Sequence, residues 1–238
     1  MSGWKAKRFW QQAAVTEIEG GFGVALDGRV VKTPAKATLR VPGRALALAI
    51  AAEWDAQQGQ IDPHRMPFTR GANAAIDKVL PQHAEVVALL AEYGGSDLLC
   101  YRAPGPPGLR ALQDAGWQPL LDWAEAVLGA RLAVTEGVQP VAQDAAALAR
   151  LAAAVAACDA FELAALYDLV AITGSLVLGL AVAHERLDAE AAWNLSRIDE
   201  DWQVSQWGED DQAAADAAIK RAALIQAQHF WQLARSRG

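Results

Sequence analysis

The residues best placed to do chemistry in this chain are tryptophans set among carboxylates. Asp188–Asp211 reads DAEAAWNLSRIDEDWQVSQWGEDD. At roughly 100° per residue, Leu195, Ile198 and Trp202 form one apolar stripe that faces a core. Ser196, Glu200, Gln203 and Trp207 fall together on another face. A large aromatic among polar groups suits the anchoring of a protein partner; the competing reading packs Trp207 on the helix that follows. Glu209-Asp210-Asp211 reads as the acidic first turn of a helix, favoured by its dipole. As an acid/base pair it would lack a neighbouring His, metal ligand or phosphate loop. A second motif-dense stretch is Ala49–Gly59, where Glu53, Asp55, Gln57 and Gln58 make a solvated helix face. Trp54 in the same stretch belongs either to the core or to the partner-binding set.

Signatures of catalysis are weak by comparison. No G-x-x-x-x-G-K-[ST] loop is present, and Gly21-Phe22-Gly23 lacks the third glycine of a dinucleotide fingerprint. Gly174-Ser175 lacks the flanking pattern of a nucleophile elbow and lies inside an apolar run, so Ser175 reads as a helix-packing serine. His184-Glu185-Arg186-Leu187-Asp188 resembles the zinc helix H-E-x-x-H but ends in Asp. His64, His83 and His229 make no cluster with Cys100 or Cys158, although a Cys–His pair assembled in space stays open. The reading is of no catalytic residue, no metal and no cofactor. The alternative is a small-molecule or metal-using enzyme whose site between two domains draws on Glu53, Asp55, Glu200 and nearby arginines.

The elements that must position these residues follow from pattern. Ala13–Ile18, Phe22–Leu26, Arg29–Lys32 and Thr38–Val41 read as strands of an antiparallel meander, with Asp27-Gly28 as a two-residue hairpin turn. A helix over Gly43–Gln58 places Leu46, Ile50 and Trp54 on one face, against the strands. Beyond a boundary near Asp77–Pro81 the pattern is helical, with segments over Gln82–Tyr93, Leu109–Leu128, Ala145–Ala157, Ala189–Trp207 and Asp210–Ala234. Pro119 should kink or divide the second of these. Asp159–Ala183, uncharged from Leu169 onward, reads as one central helix buried nearly all round. Glu162 and Asp168 interrupt it, and a membrane span needs about 20 apolar residues, so it is not a membrane span. The fold class is therefore α+β. A small N-terminal β-rich domain with a helix, residues 1–78, precedes a larger all-helical orthogonal bundle, residues 79–238.

Bulk properties exclude further classes. The 238 residues carry 21 Lys+Arg against 28 Asp+Glu, a net charge of −7, which disfavours nucleic acid as a partner. Lys5, Lys7 and Arg8 form too short a basic patch to reverse that. Two distant cysteines make no disulfide framework. No signal or transit pattern opens the chain, which points to a bacterial cytoplasm or to a mature protein.

The order of short motifs along the whole chain resembles one family, the assembly chaperones of the F-type ATP synthase that act on the alpha subunit of its catalytic head. The motifs are Arg8-Phe9-Trp10, Gly20-Gly21-Phe22, Leu26-Asp27-Gly28-Arg29, Lys32-Thr33-Pro34 and Ala49–Asp55 with Gln57. They continue with Met66-Pro67, Thr69-Arg70, Ala72-Asn73, Ile76-Asp77 and Asp97–Arg102. Pro119–Trp123, Thr173–Ser175, Asp199-Glu200, Trp202-Gln203 and Trp207–Asp210 complete them. The resemblance implies a monomeric, non-enzymatic holder of the free alpha subunit, displaced when the beta subunit arrives. It implies a β-rich N-terminal domain before a helical one, and partner-binding residues at Glu200, Trp202, Trp207, Glu209 and Asp210. Departures from the family pattern fall at Gly71, Ala74, Gln139, Ser205 and Gln212.

Overall fold

A computed structural model describes residues 7–236. The fold is α+β, a small antiparallel sheet followed by helices. Its residues divide into two compact units, one of residues 1–83, 160–165 and 229–238, the other of residues 84–159 and 166–228.

The first unit begins with strands β1 (Ala13–Ile18) and β2 (Gly21–Leu26), paired from Ala13↔Leu26 to Ile18↔Gly21. Strand β3 (Arg29–Val30) follows the Asp27-Gly28 turn, whose φ values of 46° and 83° are the left-handed pair such a turn requires. The Asp27 carboxylate accepts the N–H groups of Gln11 and Gln12 at 3.0 Å, and those bonds lower its pKa. Strand β4 (Arg40–Val41) differs from the expected meander. It pairs with β2 rather than β3, and the two short strands share one edge of β2. The Thr33-Pro34 turn ends β3 early, since Pro34 has no N–H for a ladder, and one bridge, Lys32↔Thr38, closes the loop.

Helix α1 (Arg44–Asp55) lies on β1 and β2, burying Leu46, Ile50 and Trp54 as the four-residue spacing requires. Of the four residues expected on a solvated face, Asp55 and Gln58 are exposed, but Glu53 and Gln57 are buried. Glu53 is buried and accepts Phe68 N–H (2.6 Å), Thr69 N–H (2.8 Å) and Thr69 Oγ (2.6 Å). It thereby caps helix α2 (Pro67–Ala74), whose own N-cap, Met66, offers no side-chain oxygen. Asp55 accepts Ala13 N–H at 2.8 Å and faces Arg8. Arg8 also donates to the carbonyls of Trp10, Gln11, Asp55 and Gln57. Residues 160–165 and 229–238 complete the unit: Phe161 stacks on Phe230, and Arg235 pairs with Glu162. The Phe230 ring occupies the space that a side chain at Gly71 would need, a Cβ there falling 2.7 Å from it.

The second unit contains nearly all of helix α3 (His83–Glu92), the short parallel pair β5 (Tyr101–Arg102) and β6 (Thr135–Glu136), and helices α4 (Pro107–Trp123) and α5 (Ala145–Ala156). Helix α4 runs through Pro119 without dividing and ends in a wide π-type turn over Ala124–Leu128. The expected central helix is two helices, α6 (Ala160–Thr173) and α7 (Leu176–Ala183). Gly174 leaves the helix with φ 69°, and Ser175 caps the new one by accepting Leu178 N–H at 3.0 Å. The cause is Asp97, whose buried carboxylate accepts Ser175 Oγ (2.7 Å), Val177 N–H (2.9 Å) and Leu99 N–H (3.0 Å). All eight residues of α7 are buried, and Gly179 admits Val170, which a Cβ would meet at 2.5 Å.

Helices α8 (Ala189–Ser196), α9 (Ile198–Trp207) and α10 (Asp211–Arg235) follow, the last ending in the first unit. One helix was expected over Ala189–Trp207; instead Arg197 breaks it, with its guanidinium 5.1 Å from the Trp193 ring and near Glu200 and Asp201. No helix among the described residues is long and apolar enough to cross a membrane.

Candidate partner-binding surface

Helices α8 and α9 are fastened to α4 by one polar link each, which leave the outer side of α9 free. Gln113 Nε2 donates to Asp199 at 2.5 Å, and Trp117 Nε1 donates to the Leu195 carbonyl at 2.8 Å. Between the helices runs a groove of about 620 Å³ lined by Leu112, Gly116, Leu195, Ile198 and Trp202. Glycine on α4 makes room for it. A Cβ on Gly116 would lie 2.8 Å from Leu195, and one on Gly108 would lie 2.8 Å from the Trp202 ring.

The break at Arg197 resets the faces drawn from the sequence. Ser196 is buried, its Oγ donating to the Trp193 carbonyl at 2.8 Å, so it does not share a surface with Glu200, Gln203 and Trp207. Those three are exposed. Trp207 is 80% exposed at the end of α9 and is not packed on α10, as the competing reading required. Trp202 is half-buried against Gly108. Leu112, 51% exposed, lines the groove, while Val204, 40% exposed, lies on the other side of α9. Glu200, Val204 and Trp207, four and three residues apart, align on one side of α9. Sequence reasoning missed Val204 although that spacing was legible, and it missed Gly108, Leu112 and Gly116, which only the packing of α4 against α9 selects.

Carboxylates edge this surface. Glu200 and Asp201 sit in the first turn of α9, and Glu209 and Asp210 precede α10. Asp210 caps α10 by accepting Ala213 N–H at 2.8 Å, which bears out the helix-start reading, while its side chain stays exposed. Trp54 belongs to the other unit. It is 7% exposed, packed against Trp10 at 5.3 Å, and so is no exposed anchor.

The groups suggested by enzyme motifs have structural partners. Ser175 Oγ donates to Asp97, and the Cys100 thiol is pushed up to about 12, by burial first and then by the Asp97 charge. His184 rests against the Trp123 ring at 5.7 Å. Among the described residues no three His, Cys, Asp or Glu side chains are grouped to hold a metal.

Substituting Gly108 by alanine should displace the Trp202 ring while changing stability by less than about 1 kcal/mol, because the site is a helix start near the surface. A shift in near-ultraviolet circular dichroism at unchanged Tm is the expected result; an unchanged spectrum would mean that Trp202 is not seated there.

Residues 7–125 match the family model described as ATP12 chaperone protein. The crystal structure of Atp12 from Paracoccus denitrificans is 52% identical with a TM-score of 0.95, the match covering 97% of this chain and 99% of that one. A candidate chaperone from Agrobacterium tumefaciens is 41% identical with a TM-score of 0.91, covering 95% of this chain and 85% of its own. The mitochondrial protein atp12 of Schizosaccharomyces pombe is 25% identical over 214 residues, 85% of this chain and 74% of that protein. With this fold, these likenesses define the chain as a chaperone. It belongs to the ATP12 chaperone family, the ATP synthase assembly chaperones that its motifs resemble.

Proposed function

We propose that the chain binds the free alpha subunit of the ATP synthase catalytic head and releases it when the beta subunit takes its place, with no reaction catalysed on the way. Membership of the ATP12 family supports the class of client. The observation that carries the mode of binding is Trp207, 80% exposed at the end of α9, aligned with Val204 and Glu200 on the side of the helix away from the groove and followed by Glu209 and Asp210. A transient holder needs an aromatic anchor that gains from desolvation and a polar rim that lets water return. The carboxylates favour a client surface that carries basic groups. Trp202 serves as the seated neighbour that shapes the groove. In this reading the chain works as a monomer in a bacterial cytoplasm, and competition drives release, since no phosphate-cradling motif is present in the sequence.

The test is co-purification of the tagged chain with alpha subunit, before and after addition of beta. Alpha should be retained alone and lost when beta is added, without nucleotide hydrolysis by the chaperone. Failure to retain alpha overturns the client; retention that depends on hydrolysis here overturns the mechanism.

A further inference from the structure

The first unit holds a cavity of about 680 Å³ that none of the roles above uses, and many of the motifs of the family resemblance converge on it. Lys32-Thr33-Pro34, Met66, Thr69-Arg70, Asn73 and Asp77 all line it, with Trp54 and Ile61. Two polar atoms among these residues are buried without a hydrogen-bond partner, the donor Trp54 Nε1 and the acceptor Asn73 Oδ1. Burial of either without a partner leaves its desolvation uncompensated. The cations at the cavity are Lys32, Lys36, Arg70 and Lys78, all exposed, and none has an ion pair among the described residues. Its one lining carboxylate, Asp77, is engaged, accepting Thr33 Oγ at 2.6 Å and Ala35 N–H at 3.0 Å. Behind the wall, Arg70 also acts on the buried Glu53 carboxylate. This concentration of positive charge stands out on a chain of net charge −7.

We infer that this cavity binds an extended acidic segment of a partner polypeptide, an apolar side chain entering over Trp54, Ile61 and Met66 and a neighbouring carboxylate meeting the lysines. The pairing of an unmet donor with an unmet acceptor selects the ligand class. An extended peptide offers both C=O acceptors and N–H donors along its length, one kind for each atom. A phosphate ion would answer the cations but brings chiefly acceptor oxygens, which leave Asn73 Oδ1 unmet. The subsite is separate from the Trp207 surface and does not depend on the client's being the alpha subunit.

The test uses the full-length chain and two fluorescein-labelled peptides of fifteen residues, alike in apolar residues, one with Asp and Glu beside a central Phe and one with Lys there. ATP is titrated as the competing anion. The acidic peptide should bind, move the Trp54 indole N–H signal in a nitrogen-15 spectrum, and weaken as salt rises. Reversing Lys36→Glu together with Lys78→Glu, both exposed, should reduce its affinity at least tenfold at unchanged Tm. The Lys peptide should not bind, and Trp207→Ala should leave acidic-peptide binding intact. Equal binding of both peptides, an unmoved Trp54 signal, indifference to the charge reversal, or a Trp54 shift with ATP alone would each overturn the proposal. Neither peptide derives from the alpha subunit, so this result and the co-purification result fail independently.

Discussion

Replacing Asp97 by alanine is expected to destabilise the second unit by about 3–5 kcal/mol. The variant keeps the backbone but removes the acceptor for Ser175 Oγ, Val177 N–H and Leu99 N–H, all in a fully buried place. In a chain of this size the loss amounts to roughly 10 °C in Tm. Asp97→Asn, which keeps one acceptor oxygen, should fall between. Burial raises the Asp97 pKa above its ordinary value of 3.8, outweighing the hydrogen bonds that favour the carboxylate. The folded state then holds this proton more tightly than the unfolded one. Its contribution to stability is fullest below 3.8 and declines as pH rises through the folded value. The gap between wild type and Asp97→Ala, followed by denaturant unfolding at stepped pH, should therefore narrow as pH rises. A Tm change under about 2 °C, or a widening gap, would show that Asp97 does not hold the α6–α7 junction.

Trp207→Ala should act on binding alone. A central aromatic anchor is worth about 2–4 kcal/mol, so affinity for free alpha subunit should fall roughly 30- to 700-fold. At 80% exposure the side chain contributes little to the fold, and Tm should hold within about 1–2 °C. Titration of alpha against both proteins, with Tm measured alongside, separates the two effects. Glu200→Gln, at the exposed rim, should cost less than tenfold and flatten the salt dependence. A loss below threefold for Trp207→Ala would remove this residue from the binding surface.

Local chemistry was readable where it decides the structure. Asp27-Gly28 names its own turn because few residue pairs accept two positive φ values, and Leu46, Ile50 and Trp54 name the buried face of α1 because the helix repeat fixes it. The breaks were unreadable for the opposite reason. Gly174-Ser175 lies in a stretch as apolar as its surroundings, and what ends α6 there is a carboxylate from Asp97, far away in sequence. Arg197 is an ordinary helix former, and its break goes with ring and ion-pair contacts to Trp193, Glu200 and Asp201. That break in turn removed Ser196 from the drawn face. The carboxylate–tryptophan cluster could be located from spacing, but whether each tryptophan was seated or exposed depended on partners. Trp202 finds Gly108, Trp54 finds Trp10, and Trp207 points to solvent.

The first unit is assembled from three separated pieces of chain, the last being residues 229–238. Phe230 covers Gly71, and the Ser236 carbonyl lies where a side chain on Gly43 would be, so the earliest-made strands and helices wait for the final turns of α10. During translation at roughly 5–20 residues per second, the β-rich unit stays open for about 7–30 s after its first 83 residues are made. Its apolar faces are then uncovered beside the ribosome. A chain that stops before Phe230 would lack the cover over Gly71 and so would damage the unit made first.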